Sequence, residues 1–512
     1  MRATALLLTS LAAWPLELVT ASDILARSIP GDRVLALNFD KQKHRGPGHS
    51  SRRFAKRTVT SELDNEYLLY YVDVQVGTPP QNMRLQIDTG SSDVWAPSAN
   101  SRFCSDPSEP CNEGSYNPSV STSRKLVSRN GFRISYLDGS HARGDFITEV
   151  FSIGNCTLPD LQMGIGEDTD ITAGIMGIGY PSNSAAAIAY PGLVQSLVSN
   201  GFINSHAYSL WLNDQESNKG SILFGGIDTK KYVGDLIGLP IQLERGDDAP
   251  VDFLVALNSV GLVGEDGTET TISSAKLGAV LDCGSSLTYL PNSTVTSIVK
   301  SVGGIWDHKL EEYVVPCSLS NNHNEFVTFR FGGSKGPEIR IPMEELTNYI
   351  IDVNSDIWLD GDGNPVCTFG IQPQPSDFGD TYIFGDTFLR SAYVVYDLDG
   401  RTIWMAQTIF NATESNILEI RNSTLTESGV PDASGVESEI SVTPTATTVQ
   451  RPRPTVLTAQ ESATIGSGAA GTTSGAAEST QTSRPNAGLR VQVGGMLGLV
   501  IGAIGCIMGA MI

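Results

Sequence analysis

The sequence predicts a mostly β protein built from two similar lobes, on three observations. Apolar residues come in short alternating or continuous runs, such as 68–76 and 83–87, broken at short intervals by Gly, Pro, Asn and Asp; this is the pattern of buried or half-buried strands joined by turns. Segments with a 3.6-residue apolar period are few and short, and 193–199 and 293–302 are the best of them. An eight-residue block also returns: Leu85-Gln86-Ile87-Asp88-Thr89-Gly90-Ser91-Ser92 recurs 194 residues later as Ala279-Val280-Leu281-Asp282-Cys283-Gly284-Ser285-Ser286. Each copy is followed by an apolar-apolar-Gly segment, Ile175-Met176-Gly177 and Ile383-Phe384-Gly385. One Asp-Gly turn is common in β proteins. Two with matched flanks imply an internal repeat, each lobe offering one Asp from a tight turn after a buried strand.

Along the chain, Met1 and Arg2 precede an apolar run over 3–13, and Val19 and Ala21 stand at the −3 and −1 positions of a cut after Ala21. Residues 1–21 therefore read as a secretory signal peptide. Residues 22–57 hold nine Lys/Arg against three Asp and end on Lys56-Arg57, a basic propeptide closed by a dibasic processing pair, with a disordered basic arm as the competing reading. Residues 58–245 and 246–410 are the two lobes, and Gly77-Thr78-Pro79-Pro80 marks a tight turn early in the first. Residues 411–486 are rich in Ser, Thr, Gly, Pro and Ala without aromatics, a composition suited to an extended O-glycosylated stalk. Residues 487–512 end in a charge-free run of twenty, preceded by the small trio Asn486-Ala487-Gly488. That order matches a removable GPI-anchor signal with Asn486 as attachment residue; a single-pass tail anchor is the alternative. Sequons at Asn155, Asn292, Asn411 and Asn422 fit the secretory route.

The 34 Lys plus Arg against 56 Asp plus Glu give a net charge of −22. Without residues 1–57, which hold ten basic and four acidic side chains, the remainder carries −28. Such a surface repels nucleic acid, so no nucleic-acid partner is expected. Opposite charge would help the propeptide dock near the cleft, with one of Lys41, Lys43 or Arg45 facing the two Asp residues.

The chain resembles the pepsin-like aspartic proteases from about residue 65 to 407. The resemblance is carried by Asp88-Thr89-Gly90-Ser91-Ser92-Asp93-Val94-Trp95, Ile134-Ser135-Tyr136, Gly174-Ile175-Met176-Gly177, Asp282-Cys283-Gly284-Ser285-Ser286-Leu287 and Ile383-Phe384-Gly385-Asp386. With the dibasic junction, stalk and anchor signal, it looks most like the yapsin-type, GPI-anchored fungal members. The resemblance implies a bilobal β fold, a cleft that takes peptide or protein substrates, a flap hairpin, a propeptide acting as intramolecular inhibitor, and a monomer.

It also assigns roles. Asp88 and Asp282 become the catalytic pair, since two carboxylates a few ångströms apart cannot both ionise cheaply and one keeps a proton. Ser91 and Ser285 stand where the family has a hydroxyl bonded to the outer carboxylate oxygen, and Gly90 and Gly284 let the backbone approach the pair. Tyr136 matches the flap tyrosine, and Trp95 the indole that positions it. Asp138, before Gly139 in the flap over 135–144, could receive a Lys or Arg of the substrate or simply form a turn. Cys283 departs from the hydroxyl expected to interlock with Thr89 across the lobes. A thiol bonds more weakly, so half of that grip should loosen, and a catalytically silent surface-binding or adhesion protein on the same fold is the alternative function.

With Cys506 in the tail, six cysteines allow 15 pairings. The family pattern supports Cys104 with Cys111 and Cys317 with Cys367, leaving Cys156 and Cys283 as free thiols. No cofactor or metal is expected: H-E-x-x-H is absent, no G-x-S-x-G elbow precedes a helix, and Asp360-Gly361-Asp362-Gly363-Asn364 continues with Pro365 where a calcium loop needs Gly. A polar hairpin turn is the better reading of that segment.

Overall fold

The computed structural model describes residues 33–41, 69–106, 111–217, 219–350, 357–375, 379–421, 425, 433–435, 441, 442 and 444. The signal peptide, the Lys56-Arg57 junction, Lys43, Arg45, Asn422, Asn486 and the C-terminal tail lie outside the described residues.

Strand formation follows the alternation seen in the sequence. In Tyr70–Val76 the side chains of Asp73 and Gln75 face solvent while Val72, Val74 and Val76 are buried, so one face joins the core. In the first lobe the strands lie in the order Tyr70–Val76, Gln81–Asp88, Gly174–Gly177, Val94–Pro97, Cys156–Thr169, His141–Ile153 and Lys125–Ser135. Tyr70–Val76 also pairs with His141–Ile153, Val74 opposite Ile153, which closes the sheet on itself. The second lobe repeats the theme with Glu338–Pro342, Phe326–Phe331, Leu254–Val263, Leu277–Leu281, Thr381–Phe384, Thr288–Leu290 and Ile371–Pro373. Two of the few helices are those expected from periodicity, Leu193–Ser199 and Asn292–Ser301. Phe329, Phe331, Phe384 and Phe388 pack edge to face in the second lobe, Phe384 and Phe388 with centroids 4.9 Å apart, a geometry that adds to simple area burial.

The lobes are joined by strands from both halves of the chain. Tyr232–Pro240, Thr402–Thr408, Ala392–Asp397, Ala207–Trp211 and Lys219–Phe224 run side by side, and Leu35–Lys41 lies between Lys219–Phe224 and Tyr70–Val76. Leu35, Leu37 and Phe39 are buried in the main core. The segment read by its basic charge thus contains a core strand.

The packed chain also runs past residue 410, beyond the bound expected for the second lobe. Ile417–Glu419 pairs with Gly226–Asp228, and Ala433–Gly435 pairs in parallel with Tyr232–Pro240. Ile420 and Leu425 are buried with Trp211, Tyr393 and Trp404. The reason is local: apolar residues are concentrated at the beginning of a segment whose average composition is polar. At the other suspected motif, Asp360 Oδ1 accepts from the N–H groups of Asp362 and Asn364, and Leu359 bridges to Pro365, making it a polar hairpin turn.

Candidate active site

The two Asp residues are placed by the same device used twice. Gln81–Asp88 pairs in parallel with Gly174–Gly177, Asp88 opposite Gly177, while Val94–Pro97 returns antiparallel to that strand. In the second lobe Leu277–Leu281 pairs in parallel with Thr381–Phe384, and Thr288 returns opposite Phe384. Each Asp leaves the end of a buried strand into a turn threaded against the strand that follows, so the sequence repeat becomes a structural one.

The two carboxylates are held in mirrored cradles. Asp88 Oδ1 accepts from Gly90 N at 2.8 Å and Oδ2 from Ser91 Oγ at 2.5 Å. Asp282 Oδ1 accepts from Gly284 N at 2.8 Å and Oδ2 from Ser285 Oγ at 2.9 Å. The carboxyl groups are themselves hydrogen-bonded to each other. A Cβ on Gly284 would stand 2.3 Å from Asp88 Oδ1 and 3.0 Å from Asp282 Oδ1, so this position has no room for a side chain.

Both groups are buried, and burial raises the pKa of each; for Asp282 the neighbouring charge of Asp88 pushes it up further, well above the ordinary carboxylate range. Asp88 is partly offset by the Ser91 and backbone donors. The pair therefore retains a proton in conditions where an isolated Asp would have lost it.

The grip across the lobes is present and uneven. Thr89 Oγ1 donates to Leu281 O at 3.0 Å and accepts from Cys283 N at 2.9 Å, whereas Cys283 Sγ reaches Ile87 O at 3.6 Å. The thiol occupies the expected place and makes the longer, weaker contact. Cys283→Thr should raise the urea-unfolding stability by about 1 kcal/mol, the net worth of one better hydrogen bond; an unchanged or lower midpoint would show that the sulfur packing matters more.

Above the pair, the hairpin of Lys125–Ser135 and His141–Ile153 carries Tyr136 at its turn. Trp95 Nε1 donates to Tyr136 Oη at 2.8 Å, with both rings buried. Asp138 Oδ1 accepts from Ser140 N at 2.8 Å and Ser140 Oγ at 2.6 Å, and Gly139 has φ +86°. The turn role of Asp138 is therefore realised in the fold. Leu137 packs on Leu287, Tyr289 and Ile383, bringing the hairpin tip against the second lobe.

Among the described residues the remaining predicted ones, Cys283 excepted, form no hydrogen bond with this centre. Disulfides join Cys104 to Cys111 and Cys317 to Cys367, and Cys156 and Cys283 are buried free thiols. Burial pushes the Cys156 thiol up to about 11, so it stays protonated and inert. Asn155 and Asn292 are exposed; Asn411 is exposed too, with its amide nitrogen donating to Asp214. Among the described residues no group of three or more His, Cys, Asp or Glu is arranged to hold a metal, and no helix is long and apolar enough to cross a membrane.

Several residues that brace the centre have no local signal in the sequence. Gln86 Nε2 donates to Gly284 O at 3.1 Å, tying one Asp turn to the other, and Asn183 Nδ2 bridges Gly90 O and Asp252 Oδ1. Asp93 accepts from Tyr190 Oη at 2.6 Å and Ala185 N at 2.7 Å behind the first turn. A buried polar residue in a strand, as Gln86 is, was the one hint available.

Fold and site together define a two-lobed β protein whose centre is a proton-sharing pair of aspartates on mirrored turns. Residues 69–408 match the family model described as eukaryotic aspartyl protease. The chain is 40% identical over 444 residues to a probable aspartic-type endopeptidase OPSB of Trichophyton verrucosum, covering 83% of this chain and 87% of that one. It is 45% identical over 376 residues to a probable aspartic-type endopeptidase opsB of Aspergillus fumigatus, covering 72% and 74%. With the aspartic proteinase yapsin-3 of Saccharomyces cerevisiae it shares 31% over 421 residues, 79% of this chain and 78% of the relative. The crystal structure of an aspartic proteinase from Irpex lacteus has the same fold, with a TM-score of 0.55, 21% identity, and coverage of 70% of this chain and 99% of that one. The chain belongs to the eukaryotic aspartyl protease family and is an aspartic-type endopeptidase.

Proposed function

We propose that the protein is a secreted, GPI-anchored endopeptidase, made as a zymogen, that hydrolyses peptide bonds at acidic pH with a preference for basic residues. The observation that carries the reading is the pair of mirrored carboxylates hydrogen-bonded to each other in a buried setting. Asp282, held up by burial and by its neighbour's charge, is the member that keeps the proton and donates it to the scissile carbonyl. Asp88, whose charge is supported by Ser91 and the Gly90 N–H, draws a proton from a water between the inner oxygens. That water attacks directly, so no acyl-enzyme forms. Sharing one proton between two close carboxylates is an established property of aspartic proteases rather than one peculiar to this chain.

The propeptide reading is supported by the strand Leu35–Lys41, which lies upstream of the dibasic junction and fills a place between Lys219–Phe224 and Tyr70–Val76. The anchor and secretion readings rest on the terminal sequence patterns. Asp138 supports the basic preference by its place at the hairpin tip.

The test is hydrolysis of a peptide pool below about pH 6 after release of residues 1–57. Cleavage that pepstatin abolishes supports the reading; a folded, released protein that cuts nothing in the pool refutes it. Within the same assay, Trp95→Phe removes the donor that fixes Tyr136 while leaving an aromatic ring in the core. Its kcat/KM should fall about tenfold, the size expected when one positioning hydrogen bond is lost. An unchanged value would mean that packing alone sets the flap tyrosine.

A further inference from the structure

The two copies of the repeat differ at two matched places around their Asp residues. Thr89, directly after the first Asp, is answered by Cys283 in the second copy, and Gln86, two residues before it, by Val280. At both places the first copy carries a strong hydrogen-bonding side chain and the second copy does not.

The structure turns this difference into a one-sided grip. From the first lobe, Gln86 Nε2 donates to Gly284 O at 3.1 Å, while Thr89 Oγ1 donates to Leu281 O at 3.0 Å and accepts from Cys283 N at 2.9 Å. From the second lobe the return contact is Cys283 Sγ to Ile87 O at 3.6 Å, and Val280 has no polar group to offer. The second Asp turn is therefore held on the first lobe by Gln86 and Thr89.

The bond from Gln86 falls at a sensitive point. Gly284 N donates to Asp282 Oδ1 at 2.8 Å, and a Cβ on Gly284 would stand 2.3 Å from Asp88 Oδ1. The residue whose carbonyl Gln86 holds is thus bonded to one carboxylate and packed against the other, so its position sets the gap between them. Gln86 itself is presented from a fixed base, opposite Tyr71 on one side and Ile175 on the other. It is 1% exposed, and among the described residues its amide oxygen Oε1 has no hydrogen-bond partner. Burying half of an amide unpaired is costly. An apolar side chain, such as Val280 in the other copy, would avoid that cost, so stability alone does not account for a glutamine here.

We propose that Gln86 is a positioning residue for peptide hydrolysis, which holds Gly284 across the lobe interface and supplies the part of the grip that Cys283 gives up. The proposal rests on the two-Asp mechanism above. Gln86 acts through Gly284 on the spacing of Asp88 and Asp282, not on the reacting atoms. Without its bond the second turn is free to shift, the carboxylates share their proton less well, and the two apparent pKa values of the pair draw together.

The experiment is a double-mutant cycle with Gln86→Met, Cys283→Thr and the two combined, reading kcat and KM on one peptide from about pH 3 to about pH 7 and the urea midpoint of each protein. Gln86→Met should lower kcat/KM about tenfold, chiefly in kcat, and narrow the bell-shaped pH profile. Its urea midpoint should change little, because removal of the unpaired amide oxygen offsets the lost bond. In the presence of Cys283→Thr, whose hydroxyl restores the return bond, the same replacement should cost less than about threefold. Gln86→Asn keeps the amide on a stem too short to reach Gly284 O and should behave as Gln86→Met does, which serves if methionine packs poorly. Wild-type rates and pH profile in both replacements overturn the proposal. A loss of equal size with and without Cys283→Thr overturns the compensation, and a loss that follows a lowered urea midpoint with an unchanged pH profile overturns the positioning role and assigns Gln86 to the fold. A wild type that cuts nothing overturns the mechanism together with this role, whereas any of the other contrary results overturns the role of Gln86 alone.

Discussion

Asp88→Asn and Asp282→Asn should each lower kcat/KM by about 10⁴-fold or more while the protein remains folded. The two losses have different causes. In Asp282→Asn the group lost is the one whose proton is held by burial and by the Asp88 charge, so the carbonyl loses its acid. In Asp88→Asn the group lost is the one whose charge is supported by Ser91 and the Gly90 N–H, so the water loses its base. Because the groups act as a unit, the double variant should be little worse than either single one. Each replacement also removes a buried ionisable group, so neither should unfold the protein. Intact folding by circular dichroism with residual activity within tenfold of wild type, in either variant, would remove that Asp from the proposed role.

Stability should be greatest at mildly acidic pH and fall toward and above neutrality. Asp88, Asp282 and Glu345 are raised chiefly by burial, Glu312 to about 8 and Asp397 to about 6. For a carboxyl raised in the folded state, the native chain binds the proton more tightly. Its contribution is fully present below the unfolded value near 4 and is lost as pH climbs through the folded value. Against this, Glu149 is lowered because its bonds from Ser121, Ser123 and Tyr116 outweigh its burial. Its contribution is present above the unfolded value and fails as pH drops through the folded one. Asp266, Glu269, Asp360, Asp399 and Glu419 are lowered as well, but all of these except Glu419 are exposed, so the loss expected on the alkaline side, which comes from buried groups, is the larger. Glu312 isolates the effect: the stability gap between Glu312→Gln and wild type should widen by about 3 kcal/mol from pH 4 to pH 7. Urea titrations at the two pH values check this, and a gap independent of pH would mean that Glu312 is not held neutral by the fold.

The centre was legible because it is repeated. The Asp88 and Asp282 blocks share flanks, and the structure turns that likeness into two copies of one strand arrangement. The strand alternation of 70–76 and the apolar period of 193–199 were equally readable, since each is a local pattern with a local cause. What escaped depends on contacts between distant residues. Gln86 meets Gly284 and Asn183 meets Asp252 without any spacing that would reveal it. Glu312 is one acid among neighbours in a short strand, and no local pattern marks it as buried. The strand Leu35–Lys41 was hidden differently: Leu35, Leu37 and Phe39 alternate as a strand should, but the surrounding basic charge masks the pattern. The packing beyond residue 410 was hidden for the same reason, an average taken over a segment whose first residues differ from the rest.

The water-activating pair is tested most directly by peptide hydrolysis in oxygen-18 water at about pH 4, with an added amine acceptor and the released protein. The expected result is one heavy oxygen in the new carboxylate, no amide formed with the acceptor, and no product from Asp88→Asn or Asp282→Asn. Capture of the acyl half by the amine would reveal a covalent intermediate and contradict the mechanism, as would heavy-oxygen product at the wild-type rate from either variant.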